Sequence, residues 1–336
     1  MKSTKTVLVT GADGFIGSHL CEALVQNGYG VRAFTYYNSL GARGWLDHID
    51  PKLAAAIEYL DGDIRDAAFV RHAVKGVDAV LHLAALIAIP YSYKAAESYI
   101  ETNIYGTLNV LQAGRDEGVQ KIVCTSTSEV YGTAQYIPID EKHPLNAQSP
   151  YAASKTGADQ LALSFQKSFD LPIAIARPFN AFGPRQSMRA VIPAIITQLL
   201  TKKGMIKLGA LEPTRDFTFV EDTASGLIAV MESDKSIGEV INLGSKFEIS
   251  IGDLARMAAK IAGQKDIEIL QDNQRLRPKN SEVERLFACT KKADSLLNWK
   301  TNYSGQVGFE KGLEKTINWF SDPANKVFYR REDYVV

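Results

Sequence analysis

Apolar and β-branched residues fall along this chain in short runs, each followed by a stretch whose apolar positions recur at helical spacing. Thr6-Val7-Leu8-Val9-Thr10 opens the series as a strand, and Ile16, Leu20 and Leu24 then mark one face of a helix. Further strands are predicted at Gly30 to Thr35, Ile57 to Leu60, Val77 to Leu83, Lys121 to Ser126 and Ile173 to Arg177. Long helices are predicted from Tyr99 to Glu117, with Ile100, Ile104, Leu108 and Leu111 along one stripe, and from near Tyr151 through Leu161, Leu163 and Phe165. Strands alternating with helices predict an α/β fold around a doubly wound parallel sheet. The two long helices can either cover that sheet or pack across a two-fold axis as a four-helix dimer interface.

After Arg177 the pattern changes. Short strands at Met205 to Leu208, Glu239 to Leu243 and Ile267 to Leu270 are spread among helices at about Arg189 to Lys202, Asp222 to Ser233, Ser250 to Ala262 and Gly305 to Phe320. This predicts a smaller α/β domain beside the main sheet. Residues 1–177, with segments returning at about 212–245, would form the first domain, and residues 178–336 most of the second.

The first turn carries the first recognisable chemistry. Gly11-Ala12-Asp13-Gly14-Phe15-Ile16-Gly17 joins a strand to a helix, where glycines permit a tight turn and close backbone approach to a pyrophosphate. The helix N-terminus adds free N–H groups and a positive dipole end. This predicts a Rossmann-type dinucleotide site. A sheet that selects NAD usually ends its second strand in an acid that accepts from the ribose 2′-hydroxyl. Here Thr35, Tyr36, Tyr37, Asn38 and Ser39 occupy that zone and Arg43 follows, so NADP is expected ahead of NAD. Asp63 either caps the following helix or accepts from the adenine amino group. Ala84 and Ala85, small residues after the fourth strand, let the cofactor backbone come close, and His82 reads as a packed strand residue.

The densest chemistry lies between Cys124 and Lys155. Thr127, Ser128 and Glu129 follow an apolar strand, and Tyr151 and Lys155 share a helix face one turn apart. A free phenol is a poor base at neutral pH, and a nearby ammonium favours the phenolate. Such a pair can take a proton from a sugar hydroxyl while hydride leaves the same carbon, with Thr127 bonded to the same oxygen. Arg185, Arg189, Arg215, Arg275 and Arg277 lie near turns, and guanidinium forks suit phosphate oxygens. Arg215 and Arg277, each beside a proline-containing loop, are the stronger phosphate candidates.

Composition narrows the partners. Lysines plus arginines equal aspartates plus glutamates at 38 each, so net charge points neither to nucleic acid nor to an anionic membrane. The longest apolar run, Ala79 to Pro90, is too short to span a bilayer. Cys21, Cys124 and Cys289 have no metal spacing and form no even set, which predicts no metal site and a reducing, cytoplasmic compartment. Met1 to Lys5 reads as a short polar start without signal-peptide character.

These segments together resemble the extended short-chain dehydrogenase/reductase family. The likeness spans the G-x-x-G-x-x-G loop, Asp63-Ile64, His82-Leu83-Ala84-Ala85, Thr102-Asn103, Tyr151 to Lys155, Arg177-Pro178-Phe179-Asn180, Gly183-Pro184-Arg185 and Arg215-Asp216-Phe217. Thr127-Ser128-Glu129-Val130-Tyr131-Gly132 resembles nucleotide-sugar 4,6-dehydratases, since sugar 4-epimerases usually lack the carboxylate. Ala88 to Tyr93, Gly183 to Ser187 and Gln274 to Val283 resemble the dehydratases of nucleotide-activated N-acetylglucosamine in bacterial legionaminic and pseudaminic acid pathways. The resemblance implies a homodimer built through a four-helix bundle and a tightly bound NADP or NAD regenerated each cycle. It also implies cofactor contacts at Phe15, Ile16, Ile64, Leu83 and Ser126 besides the glycines, and substrate contacts at Ser92, Asn180, Arg185, Arg215 and Arg277. The dTDP-glucose dehydratases place Asp-Glu where this chain has Ser128-Glu129, so Glu129 is expected to act as both base and acid. A nucleotide-sugar epimerase, or a variant that releases a 5,6-ene or inverts C5, shares the same Tyr, Lys and cofactor loop. A non-catalytic NADP-binding sensor is the reading from another class.

Overall fold

The computed structural model describes residues 5–201, 204–264 and 267–329. Seven parallel strands form its centre: β1 (Thr6–Thr10), β2 (Gly30–Tyr36), β3 (Ile57–Gly62), β4 (Ala79–His82), β5 (Lys121–Thr125), β6 (Ile173–Pro178) and β7 (Val240–Leu243). Their spatial order is β7-β6-β5-β4-β1-β2-β3. The order reverses between β1 and β4, where Val7 pairs with Ala79 and Thr10 with His82. A crevice opens there beyond the strand ends.

The alternation along each strand sorts side chains to the two faces. Val7 and Val9 of β1, Val123 of β5 and Ala174 and Ala176 of β6 enter one core with Leu20 and Leu24 of α1 (Phe15–Gln26). Leu8, Ile122, Ile173 and Ile175 enter the opposite core. There they meet α2 (Ala67–Val74), α3 (Gly106–Asp116) and α4 (Pro150–Phe169) through Val70, Val110 and Phe165. Burying a side chain of this size contributes about 1.5–3 kcal/mol.

Three further helices follow: α5 (Val191–Thr201), α6 (Val220–Glu232) and α7 (Ile251–Ile261). The last long helix is α8 (Gly305–Ser321). Helices α5, α7 and α8 share a separate core in which Phe182, Phe217, Phe219 and Phe309 meet. Helix α6 instead buries Leu227 and Val230 with α1 in the core of the main sheet. The expected helix end at Lys202 lies outside the described residues, as do Met1 to Thr4 of the polar start.

One local feature departs from the pattern. The segment expected as one helix from Tyr99 to Glu117 winds as a π-helix over Ile100–Tyr105 before α3 begins. Its wide turn accompanies burial of Asn103, whose amide accepts from Leu86 N–H at 2.8 Å and donates to the Leu86 carbonyl at 3.0 Å and to Ser154 Oγ at 2.9 Å. That ties the chain leaving β4 to α4. The run at Glu239 to Leu243, inside the segment expected to return to the first domain, is the edge strand β7 of the main sheet, paired with β6.

Candidate active site

Three glycines shape the first crevice wall. Gly11 has φ +66°, and a Cβ there would sit 2.9 Å from the Ala84 backbone, so β1 and β4 leave their sheet in close apposition. A Cβ on Gly17 would run into the Gly11 carbonyl. Gly14 is the N-cap of α1 and offers no capping side chain, so the first N–H groups of Phe15, Ile16 and Gly17 lack that partner. The Thr10 hydroxyl accepts from Leu83 N–H and Ala84 N–H, both at 3.1 Å, and lies 2.8 Å from His82 Nδ1. His82 reaches Thr107 at 3.1 Å, and burial pushes its pKa down to about 3, assisted by the charge of Lys155. As read from the sequence, it is a packed, neutral strand residue. Ile64 is buried and Ala85 half-buried along the same edge. This cradle fits a dinucleotide: a tight backbone and an uncapped helix start.

Beyond β2, the Asn38 amide is committed to its own loop, accepting from Leu40 N–H and Ala42 N–H at 3.1 Å each and donating to the Ala42 carbonyl at 2.6 Å. Ser39 is exposed beside it. The Arg43 guanidinium stacks 4.2 Å over the Tyr59 ring and lies 3.8 Å from Asp61, while its buried Nε has no hydrogen-bond partner. Asp61 also accepts from the Thr35 hydroxyl. The helix after β3 is capped by Asp66, which accepts from Ala68 N–H and Phe69 N–H, so Asp63 does not cap it. Asp63 instead holds Arg65 at 2.6 Å, which keeps its carboxyl below the usual aspartate range.

The second wall forms at the end of β5. Thr127 caps a 3-10 turn over Ser128–Tyr131, accepting from Glu129 N–H at 3.3 Å, and Gly132 ends that turn at φ +65°. A Cβ on Gly132 would strike the Asn146 carbonyl, so the turn cannot end otherwise. Ser128 and Glu129 are buried. Opposite, Ser149 caps α4 and Pro150 fills its first turn, which aims Tyr151 and Lys155 into the same space. The Thr127 hydroxyl lies close enough to the Tyr151 phenol to favour its ionised form. Burial pushes that phenol well above its ordinary range; the nearby Thr127 hydroxyl opposes this, while the charges of Glu129 and Asp159 add to it. The lowering expected from Lys155 is thus outweighed, because desolvation dominates both members of the pair. Burial also pulls the Lys155 ammonium down, against the charge of Asp159.

Asp159 is the residue that sequence reasoning passed over. It lies one further turn along the Tyr151-Lys155 face and accepts from Ser126 Oγ at 2.6 Å and from Arg177 at 2.7 Å. Arg177 also stacks 4.7 Å from the Tyr131 ring, and the Tyr131 hydroxyl donates to Asn242 at 2.9 Å. This buried network locks β5, α4, β6 and β7 together beneath Thr127 and Glu129. The i+4 spacing from Lys155 was its one visible signal.

The outer rim comes from the later part of the chain. Arg215 sits in the central strand (Thr214–Asp216) of a three-stranded sheet, with its Nη2 3.3 Å from Glu282. Arg277 Nη1 is 3.8 Å from Glu129 and 3.9 Å from Glu282. The fold therefore brings Glu129, Arg215 and Arg277 together, and adds Glu282. Asn180, just past β6, keeps a buried Nδ2 with no partner. Arg185 stands apart: at φ +70° its guanidinium bonds Glu22 at 2.5 Å and Ser18 at 3.3 Å on α1. Ser92 is buried, its hydroxyl donating to the Ile89 carbonyl at 2.7 Å. Among the described residues no cluster of ligating side chains could hold a metal ion.

Comparison with known proteins identifies relatives of the same fold. Residues 8–316 match the family model described as GDP-mannose 4,6 dehydratase. The chain is 33% identical over 321 residues to the low-salt glycan biosynthesis protein Agl12 of Haloferax volcanii, covering 94% of this chain and 98% of that one. The structure is similar to that of DesIV, a dTDP-glucose 4,6-dehydratase from Streptomyces venezuelae with NAD bound (TM-score 0.84, 29% identity, 98% and 100% of the two chains). It is also similar to a UDP-N-acetylglucosamine 4-epimerase from Methanobrevibacter ruminantium (TM-score 0.83, 30% identity, 94% and 98%).

Proposed function

The chain belongs to the GDP-mannose 4,6-dehydratase family of extended short-chain dehydrogenase/reductases, and on that premise we propose that it is a nucleotide-sugar 4,6-dehydratase. Its substrate is UDP- or GDP-N-acetylglucosamine, and its product the 4-keto-6-deoxy sugar. The observation behind this reading is the carboxylate of Glu129, buried and charge-coupled to Tyr151. A 4-epimerase needs no base at that place. A dehydratase does, because water leaves across C5 and C6 only after the C5 hydrogen is removed.

The cradle of Gly11, Gly14 and Gly17 would hold the dinucleotide, whose oxidised nicotinamide would supply a hydride acceptor and a positive charge that favours the phenolate. The protein supplies position and proton transfer. Tyr151 takes the C4 hydroxyl proton, with the Thr127 hydroxyl near the phenol and Lys155 one turn behind. The resulting C4 ketone acidifies the C5 hydrogen. Glu129 removes it and hands a proton to the departing C6 hydroxyl, since Ser128 stands where the dTDP-glucose enzymes carry an acid. Protonation at C5 completes the 4-keto-6-deoxy sugar, with the bound dinucleotide supplying the hydride gained at C6 and so regenerated in place. Arg215 and Arg277 hold the diphosphate, and Asn180 offers its unpartnered amide to the sugar nucleotide.

NADP is the proposed cofactor. No carboxylate ends β2, and the Arg43 guanidinium stands over Tyr59 with its Nε unpartnered at that edge. Residues 178–336 are assigned mainly to the sugar nucleotide, and the product to bacterial nonulosonic acid synthesis. A homodimer through the π-helix–α3 segment and α4 is also part of the proposal; Ile100 and Tyr105 expose 49% and 59% of their surface there. Among the described residues no helix is long and apolar enough to cross a membrane. The three free cysteines, two of them buried, support a cytoplasmic setting.

The C5 step gives the test. Turnover in deuterium oxide, followed by proton NMR of the product, should place deuterium at C5. An isomerised sugar that keeps its C5 hydrogen would make the protein an epimerase instead.

A further inference from the structure

Resting on that reading, we propose that Glu282 is a built-in counter-anion for the diphosphate site. It occupies Arg215 and Arg277 until the sugar nucleotide's diphosphate displaces it. The displacement also frees Glu129 from Arg277.

The geometry poses the problem. Arg215 and Arg277 are close enough to act on one another electrostatically, and Arg215 is buried. Two like charges in such a place need an anion between them. Glu282 supplies it, at 3.3 Å from Arg215 and 3.9 Å from Arg277. The fit is incomplete. Arg277 Nη1 is buried between two carboxylates, yet has no hydrogen-bond partner. An acceptor oxygen placed between the guanidinium groups would satisfy it, and a diphosphate brings several.

Charge decides which carboxylate yields. Two guanidinium and two carboxylate groups sum to zero, so a diphosphate entering beside both carboxylates would leave the cluster strongly negative. Glu129 is the deeper of the two, with 10% of its side chain exposed against 23% for Glu282. The backbone around Glu282 is held in place. Gln148 Nε2 donates to the Asn280 and Glu282 carbonyls at 3.1 and 3.0 Å, and Ser281 Oγ donates to the Gln148 carbonyl at 2.5 Å. Tyr93 adds a hydroxyl contact to Ser281 at 2.6 Å. The exchange is therefore a side-chain rotation with no loop movement. Once Arg277 turns to phosphate oxygens, Glu129 loses its ion-pair partner as the sugar arrives. Diphosphate binding and availability of the base are then one event.

The experiment measures inorganic diphosphate and UDP binding to the cofactor-loaded protein by calorimetry, for wild type and Glu282→Gln. The amide keeps an acceptor for Arg215 and removes the competing charge. Dissociation constants for both probes should fall about tenfold, and KM for the sugar nucleotide should fall in parallel. Glu282→Ala, expected to shift the same way, provides the reading if the amide variant does not fold. Unchanged or weaker diphosphate binding, or binding by no form, would overturn the proposal and make Glu282 a support for the arginines. Because inorganic diphosphate carries no sugar, that outcome is separate from failure of the dehydratase reading, which is scored by water loss alone.

Discussion

Arg277 Nη1 lies 3.8 Å from the carboxylate of Glu129, although the two residues are far apart in sequence. The ion pair closes the site from the substrate side and fixes the carboxylate against the wall that carries Thr127 and Tyr151. Replacing Glu129 by Gln removes the base and leaves Tyr151 and Lys155 intact. Water elimination should stop, while reduced nicotinamide accumulates as the C4 ketone forms. Absorbance of the reduced cofactor, followed with product mass, reads both halves. Full dehydratase activity in Glu129→Gln would remove Glu129 from the mechanism.

Tyr151→Phe deletes the phenol hydroxyl that faces Thr127. The first proton transfer then has no acceptor, and kcat should drop by about 10²-fold or more. No reduced cofactor should appear in single-turnover experiments, which separates this variant from Glu129→Gln. Normal turnover would contradict the assignment.

At the cofactor edge, Arg43→Ala should weaken NADP binding by about tenfold or more and leave NAD binding nearly unchanged. Titration of cofactor-stripped protein with each dinucleotide measures the ratio. Equal losses for the two would assign Arg43 to loop structure through Tyr59 and Asp61.

Much of this was legible locally. Strand β1, the glycine turn and α1 follow from a short apolar, β-branched run, three glycines and a period near four, all within one stretch of chain. The Tyr151-Lys155 face is likewise a local consequence of helical spacing. What the sequence concealed depends on distant partners. A stripe of Ile100, Ile104 and Leu108 reads alike whether the helix is α or π. Asp63 and Asp66 are equivalent as capping candidates until the backbone turns. Arg185 looks like a phosphate ligand until Glu22, on the helix after the glycine loop, is found beside it. Glu282 had no distinguishing neighbour in sequence and acquires its importance only where two arginines meet.

The Asp159–Arg177 pair has 3% of each side chain exposed. Asp159→Ala would leave the Arg177 guanidinium buried without its counter-charge, at a cost of about 3–5 kcal/mol. Urea unfolding should show the loss as a lower midpoint with an unchanged slope. A change under 1 kcal/mol, roughly the value of an exposed pair, would mean that Arg177 finds compensation elsewhere.

A second buried cation makes stability depend on pH. Burial pulls the Lys121 ammonium down to about 8, partly opposed by Asp234, while its Nζ donates to the Ser233 carbonyl at 2.9 Å and to Ser236 Oγ at 2.6 Å. Between pH 8 and the ordinary lysine value of about 10.5, the unfolded chain binds the extra proton. Stability from this group therefore rises with pH across that window. Lys121→Met removes the titration, so the wild type should gain on the variant as pH climbs from about 8 to 10. A pH-independent difference in urea midpoints would contradict the burial effect.

The most direct measurement incubates the purified protein with UDP-N-acetylglucosamine, GDP-N-acetylglucosamine and dTDP-glucose separately, without added cofactor, and weighs the products by mass spectrometry. Loss of the mass of one water from an N-acetylglucosamine nucleotide is the predicted result, and it names the base. An unchanged mass carried by a new sugar isomer, or no reaction with any of the three after NADP or NAD is supplied, would contradict the dehydratase assignment.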